Sequence, residues 1–201
     1  MSTRRTSRGV TKTITKDVWK PGTMLSPVPV VMVTSVDKDG RPNIVTVAWA
    51  GTVCSEPPMV SISLRKERYS YGLIVESGEF VINVPSVRQI RDTDYCGVVS
   101  GRDVDKFERT GLTPVPASTV KAPVILECPL SLECVVKHTH DWGSHTVFLA
   151  EVTAVQVSSH LVKASGHFAV EDAGLAAFAH GGYYALGKKV GHFGYSVKKK
   201  A

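Results

Sequence analysis

The stretch whose reading decides the fold runs from residue 42 to residue 85 and reads PNIVTVAWAGTVCSEPPMVSISLRKERYSYGLIVESGEFVINVP. Its runs at 43–48 and 59–64 are rich in Val, Ile, Ser and Thr and have the length of strands, since β-branched side chains pack well on a pleated surface. After the first run, Trp49, Gly51, Thr52, Cys54 and Ser55 are expected to form a loop that Pro57 and Pro58 stop. After the second come Arg65, Lys66, Arg68 and Ser70, and then residues 71–76 predict a short helix closed by Gly78. A serine at a helix start, with two arginines just before it, makes an anion site because unpaired backbone N–H groups, the helix dipole and guanidinium forks converge there. The segment therefore combines a polar strand edge, an aromatic lid and a phosphate grip, without naming a ligand.

Working outward, residues 28–36 form a β-rich run, and the turn Asp37-Lys38-Asp39-Gly40 makes a hairpin of it with 43–48. Residues 80–84 predict another strand. Residues 86–99 and 103–109 predict short helices, the second stopped by Gly111, and 112–123 is a proline-bearing loop. A long hairpin is expected from 129–137 and 145–157 around Asp141-Trp142-Gly143. The fold class is thus mainly β with short helices. In 145–157, Val147, Leu149 and Val155 fall on one face, and Phe148, Ala150, Val152 and Ala154 on the other. One barrel interior cannot bury both faces, so a packed helix or a second subunit is implied, and a homodimer is expected. The tail 168–196, with Phe178, Tyr183, Tyr184, Leu186, Phe193 and Tyr195 among its glycines, is too aromatic for a disordered end and is expected to wrap onto the body or a partner. The chain divides into an N-terminal tail or extension (1–24), a core domain (25–160) and a C-terminal extension (161–201).

Composition narrows the function classes. The 201 residues are 43% hydrophobic and 21% charged, as in ordinary globular proteins, and suffice for one real core. No apolar run approaches the roughly 18 residues of a membrane span, and the N-terminus has no apolar signal core; a cytoplasmic protein without a membrane partner is expected. The net charge of +6 is loaded onto the ends, at Arg4, Arg5, Arg8, Lys12 and Lys16 and at Lys188, Lys189, Lys198, Lys199 and Lys200. With no basic recognition helix and no aromatic RNA-binding motif, nucleic acid is not an expected partner. Cys54, Cys96, Cys128 and Cys134 contain no CxxC pair, which argues against a disulfide scaffold. Cys54, in the polar loop, is either a small buried apolar residue or a redox group. His138 and His140 share a strand face near Asp141 and His145; a charged strand end explains them as well as a metal site does, and no metal is expected. Neither GxGxxG nor GxxxxGK[ST] occurs, and Gly187, Gly191 and Gly194 have the wrong spacing, so a phosphate-bearing ligand needs a different cradle.

Several motifs in order carry a resemblance: Asn43-Ile44-Val45-Thr46-Val47-Ala48-Trp49, Pro57-Pro58, Arg65-x-x-Arg68-Tyr69-Ser70-Tyr71, Gly78-Glu79-Phe80-Val81-Ile82-Asn83-Val84, Asp105-Lys106-Phe107, and Gly143-Ser144-His145-x-x-Phe148-x-x-Glu151-Val152. They resemble the flavin reductase-like family, and within it the flavoredoxin branch of FMN-binding split-barrel proteins. The likeness spans about 27–157, with closing pieces at Tyr184-x-Leu186-Gly187 and Gly191-x-Phe193-Gly194. It implies a six-stranded antiparallel split barrel, a homodimer, and one FMN per subunit near the dimer interface. Carried over by position, it implies that Thr46, Val47, Ala48 and Trp49 line the isoalloxazine, and that Ser63, Arg65, Arg68 and Ser70 hold the ribityl-phosphate. Lys106, His145 and Phe178 are implied near the ring or the substrate side, with Lys106 and His145 as the catalytic candidates, and Asn83 at the cofactor.

The residues alone leave alternatives. Arg65 and Arg68 are either solvated charges or a phosphate grip, Trp49 either core or flavin lid, and His145 either a satisfied strand histidine or a tunable donor near neutral pH. Two function classes follow. One is an FMN-dependent oxidoreductase that moves electrons from NAD(P)H, or from a transient protein donor, to an acceptor. The other is a non-enzymatic FMN electron carrier or flavin-binding module.

Overall fold

The computed structural model describes residues 3–5 and 11–197; Arg8 and the lysines at 198–200, part of the cationic ends, lie outside them. Seven strands build the main sheet: β1 (Val31–Val36), β2 (Pro42–Val47), β3 (Ala50–Ser55), β4 (Pro58–Leu64), β5 (Glu79–Val84), β6 (Leu130–Trp142) and β7 (His145–Val157). Their order is β2-β1-β5-β6-β7-β4-β3, every neighbouring pair antiparallel. Among the described residues three α-helices accompany them: α1 (Tyr69–Ser77), α2 (Ile90–Val98) and α3 (Lys106–Thr110). The fold is mainly β with short helices, as the strand-rich sequence indicates.

The sheet is strongly rolled, and covalent geometry shows why. β2 and β3 are its two outer strands, yet only Ala48 and Trp49 separate them in the chain. Three residue steps reach roughly 11 Å, whereas the outer strands of seven laid flat would stand about 29 Å apart. The edges therefore come together at Ala48 and Trp49, where Ser63 N–H donates to Trp49 O at 2.9 Å. Hydrogen bonds between β2 and β3 do not close the sheet. The expected count of six strands is reached only by taking 42–55 as one bent strand. The expected loop at 49–55 is corrected likewise: Pro57 and Pro58 do not end a loop there but help make a tight turn, and residues 50–55 pair with β4.

Side chains alternate across the rolled sheet. Val31, Val33, Val45, Val47, Ile62, Phe80 and Phe148 fill its interior, with Ile74 of α1 among them. Met32 and Ile44, on the other face, are covered by Cys96 of α2, Phe107 of α3 and Ile125. β1 is consequently buried on both faces. β7 is not: Phe148 and Ala150 are fully buried, Val147 and Leu149 half-buried, and Val155 56% exposed. Truncating a ring as enclosed as Phe148 typically costs about 3–5 kcal/mol.

Two local predictions shift. Val28–Pro29 breaks away from β1 and pairs with β8 (Ala176–Ala179), which forms a hairpin with β9 (Gly182–Ala185). The C-terminal segment is thus tied to the body, and Tyr183 Oη donates to Asp94 Oδ1 at 2.8 Å. The helix predicted at 86–99 is a short 3-10 turn, Val87–Gln89, followed by α2. Among the described residues no helix is long and apolar enough to cross a membrane.

Candidate functional site

α1 starts directly after the loop that leaves β4. Its N-cap is Arg68, with extended backbone and no side-chain cap; the Tyr71 N–H turns back to Arg68 O at 3.0 Å, and the N–H groups of Tyr69 and Ser70 are left open. Gly78 ends the helix at φ 69°, its N–H donating to Ile74 O. Ser70 is therefore inside the first turn and not at the cap position, as the sequence suggests. Its hydroxyl accepts from Asn43 Nδ2 at 2.7 Å and keeps its own proton to donate.

Two adjoining hollows meet at this helix start, sharing Val45 and Arg68. The first, about 130 Å³, is lined by Asn43, Arg68, Ser70, Ser100, Gly101, Arg102 and Lys106 among others. The second, about 150 Å³, is lined by Thr46, Val47, Ala48, Trp49, Ser63, Arg65, Arg68 and His145. Ten of the twelve residues singled out from the sequence thus converge on one place.

In the first hollow, Lys106 is buried, and its Nζ donates to Ile44 O and Cys96 O, both at 2.7 Å. Burial pushes its pKa down to about 8, with the nearby Arg68 charge adding to the effect. Two of its three protons are committed to carbonyls, so it serves as a braced cation beneath the hollow, away from the Trp49 side. Gly101 is required by close approach: a Cβ there would lie 1.9 Å from Asn43 Oδ1. Among the described residues the one buried side-chain oxygen without a partner is Ser35 Oγ, and Ser35 is the cross-strand neighbour of Asn43.

In the second hollow, Trp49 is 46% exposed and its ring centroid lies 4.5 Å from that of His145, tilted by 41°. His145 Nδ1 is 2.8 Å from Ser144 Oγ. Burial and the Arg65 charge lower its pKa, favouring the neutral imidazole near pH 7. In the neutral tautomer in which Nδ1 accepts from Ser144 Oγ, Nε2 carries the proton and is a donor. Thr46 Oγ1 donates to Thr93 O, so its hydroxyl has no proton left to give to the hollow and can only accept there. Lys66 Nζ meets Asp141 Oδ2 at 2.7 Å, tying the loop that bears Arg65 and Arg68 to the hairpin that bears His145. At such exposure the pair sets geometry more than stability.

Two expected residues stand elsewhere. Asn83 is fully buried in the central strand β5. Its Nδ2 donates to Met32 O and Thr34 Oγ1, and its Oδ1 accepts from Ile125 N–H and Ser131 Oγ. It is a core crosslink with its hydrogen-bonding capacity used, and lines neither hollow. Phe178 sits on β8, edge-to-face with Tyr183 at 5.4 Å, and also lines neither. Its strand partner Val28 borders a third hollow of about 400 Å³ on the far side of Trp49, apolar at Leu25 and Val53. Cys54 is partly exposed on β3, its Sγ donating to Glu56 O, and lines none of these hollows. His138 and His140 are both exposed, and among the described residues no group of three metal-ligating side chains forms.

Sequence reasoning missed Asn43, Ser100, Gly101 and Arg102 as site residues. A polar Ser-Gly-Arg turn just after a helix was the available signal, but only the fold brings it to Ser70.

The donor set fits a flat ring with a phosphate tail. A half-open indole and a neutral imidazole flank one hollow, and arginines, open helix N–H groups and free hydroxyl protons converge on the other. Comparison with known proteins agrees. The profile of the flavin reductase like domain matches residues 24–187. The structure superposes on flavoredoxin of Desulfovibrio vulgaris (Miyazaki F) with a TM-score of 0.86 and 36% identity, covering 92% of this chain and 100% of that one. Flavoredoxin from Methanosarcina acetivorans gives a TM-score of 0.81 and 28% identity over the same shares. The protein YddH of Escherichia coli K12 is 32% identical over 168 residues, 81% of this chain and 88% of its own length.

Proposed function

The chain belongs to the flavin reductase-like family, and from that premise we propose that it binds FMN and moves electrons from NAD(P)H or a protein donor through it to an acceptor. The observation that carries this is the junction of the two hollows at Arg68: a phosphate grip at the start of α1 opens directly onto the Trp49–His145 pair. FMN, when bound, supplies the hydride and electron chemistry; the chain binds, orients and shields it. Arg68, Ser70 and the first N–H groups of α1 would hold the phosphate, with Lys106 as the buried counter-charge, while Arg65 lies on the neighbouring hollow beside His145. Thr46, Val47, Ala48 and Ser63 would line the ring side, Trp49 would supply a stacking surface, and His145 would be the hydrogen-bonding side chain beside the ring.

The ring side is unfinished within one chain. The two hollows are small against the roughly 300–1,000 Å³ of a complete ligand pocket. Trp49 stands half exposed, and Val53 and Leu25 are 51% and 85% exposed beside it. The outer face of β7 adds Val147, Leu149 and Val155. A second copy of the chain covering these surfaces, in a homodimeric split barrel, accounts for all three features, and Phe178 joins the cofactor only in that setting.

Lys106 is engaged by two carbonyls, which leaves His145 as the one side chain lining the ring-side hollow that can change its charge near neutral pH. That economy suits a non-enzymatic carrier as well as a reductase. The first test is uptake: purified protein mixed with FMN and desalted should retain about one yellow equivalent per chain, and a colourless product refutes both versions. Steady-state oxidation of NADH and NADPH then separates them. No turnover by a protein whose bound flavin is readily photoreduced identifies the carrier.

A further inference from the structure

The turn formed by Ser100, Gly101 and Arg102 has no role in the reading above, yet it forms one wall of the phosphate-side hollow. Arg102 Nη1 donates to Glu67 O at 3.0 Å, and its guanidinium carbon lies 5.5 Å from the Tyr69 ring centroid. Glu67 and Tyr69 belong to the opposite wall, so this contact bridges the hollow at its outer end. Gly101 packs so closely that a Cβ would lie 2.7 Å from Asn43 Cγ and 3.0 Å from Tyr69 Cδ1. The Glu67 carboxylate, on a residue that also lines the hollow, lies 3.8 Å from Arg65 Nε. Arg68, Arg102 and Lys106 thus surround a pocket whose outer end is latched.

We propose that Arg102 makes this site selective for a flavin ending in a phosphate monoester, discriminating against flavins that lack the phosphate or continue beyond it. This rests on the flavin reading above. A monoester carries up to two negative charges and three terminal acceptor oxygens. Arg68 and Ser70 would serve two of these oxygens, and Arg102, on the same hollow, would be the donor for the third. Riboflavin offers this wall nothing. A dinucleotide flavin such as FAD offers one negative charge at the same phosphorus, and its chain must leave through the Arg102–Glu67 bridge, which has to open. The planar fork is already braced by Glu67 O and Tyr69, so little side-chain freedom is lost when it engages the anion.

The experiment is a titration of flavin-free protein with FMN, FAD and riboflavin, comparing the unmodified chain with Arg102→Ala, followed by flavin fluorescence. Arg102 is exposed, and an unchanged melting temperature establishes that the variant is folded. The unmodified protein should bind FMN at least about tenfold more tightly than FAD. In the variant, FMN affinity should fall roughly 10- to 100-fold, the scale of a lost charged hydrogen bond, while FAD and riboflavin shift less than about threefold on the same scale. An unmodified protein that binds FMN and FAD alike overturns the proposal and leaves the flavin reading intact; so does a variant that keeps the FMN-to-FAD ratio. Failure of the unmodified protein to take up any of the three flavins overturns both.

Discussion

The two halves of the candidate site are built differently. On the phosphate side three groups are braced by their own chain: Asn43 holds Ser70, two carbonyls hold Lys106, and Glu67 and Tyr69 hold Arg102. On the ring side Trp49 is half open and His145 leans on Ser144 and on the indole itself. Under the function proposed above, the contrast assigns affinity to the first half and reactivity to the second. A charged, preorganised grip contributes binding energy without touching the reacting atoms, whereas an open ring face admits a donor and an acceptor in turn.

The most damaging change to this division is loss of the grip. Arg68→Ala together with Ser70→Ala should weaken FMN binding by about 3 kcal/mol or more, on the order of two charged hydrogen bonds, with riboflavin binding little changed; equal losses for both ligands would show that the phosphate is not held there. Gly101→Val comes next. The added side chain drives into Asn43, and overpacking of this kind costs about 1–3 kcal/mol of stability, so the melting temperature should drop along with FMN affinity. A variant of native stability and affinity would remove the close approach from the account.

Acidity sharpens the comparison further. Burial first, and then the charge of Arg68, hold Lys106 down to about 8, and a bound dianion must push it back up. The protonated form is the one that favours phosphate, so FMN affinity should be level between about pH 7 and 8 and decline above 8, by up to tenfold per pH unit on proton linkage. Affinity that stays flat to pH 9.5 would take Lys106 out of the grip. On the ring side, Trp49→Ala should weaken FMN and riboflavin by the same amount, about 1 kcal/mol of stacking. His145→Gln should be smallest in affinity, within about 0.5 kcal/mol, while slowing flavin reduction. A His145 variant that lost FMN but reduced it at the normal rate would invert the division.

What the sequence reveals follows from distance along the chain. The strands at 42–47 and 58–64, the arginines and the start of α1 lie within one segment, where local spacing carries the chemistry. Trp49 was legible as a candidate site residue, and it lines a hollow beside His145, but its surroundings were not legible. Gly51, Ser55 and the prolines have loop chemistry, and only the rolling of the sheet turns 50–55 into an edge strand. Asn83 shows the opposite failure. Its strand was placed correctly, but β5 lies in the middle of the sheet, where a buried amide is consumed by Met32, Thr34, Ile125 and Ser131. Arg102 and Gly101 escaped notice because their partners, Glu67, Tyr69 and Asn43, lie 32 to 58 positions away, and no local pattern marks such a meeting.

The central claim, that the phosphate side supplies the affinity, is tested most directly by titrating the unmodified flavin-free protein with FMN and with riboflavin under the same conditions. The two ligands share the ring and differ only in the phosphate. FMN should bind at least about 100-fold more tightly, close to 3 kcal/mol; equal affinities would contradict the account.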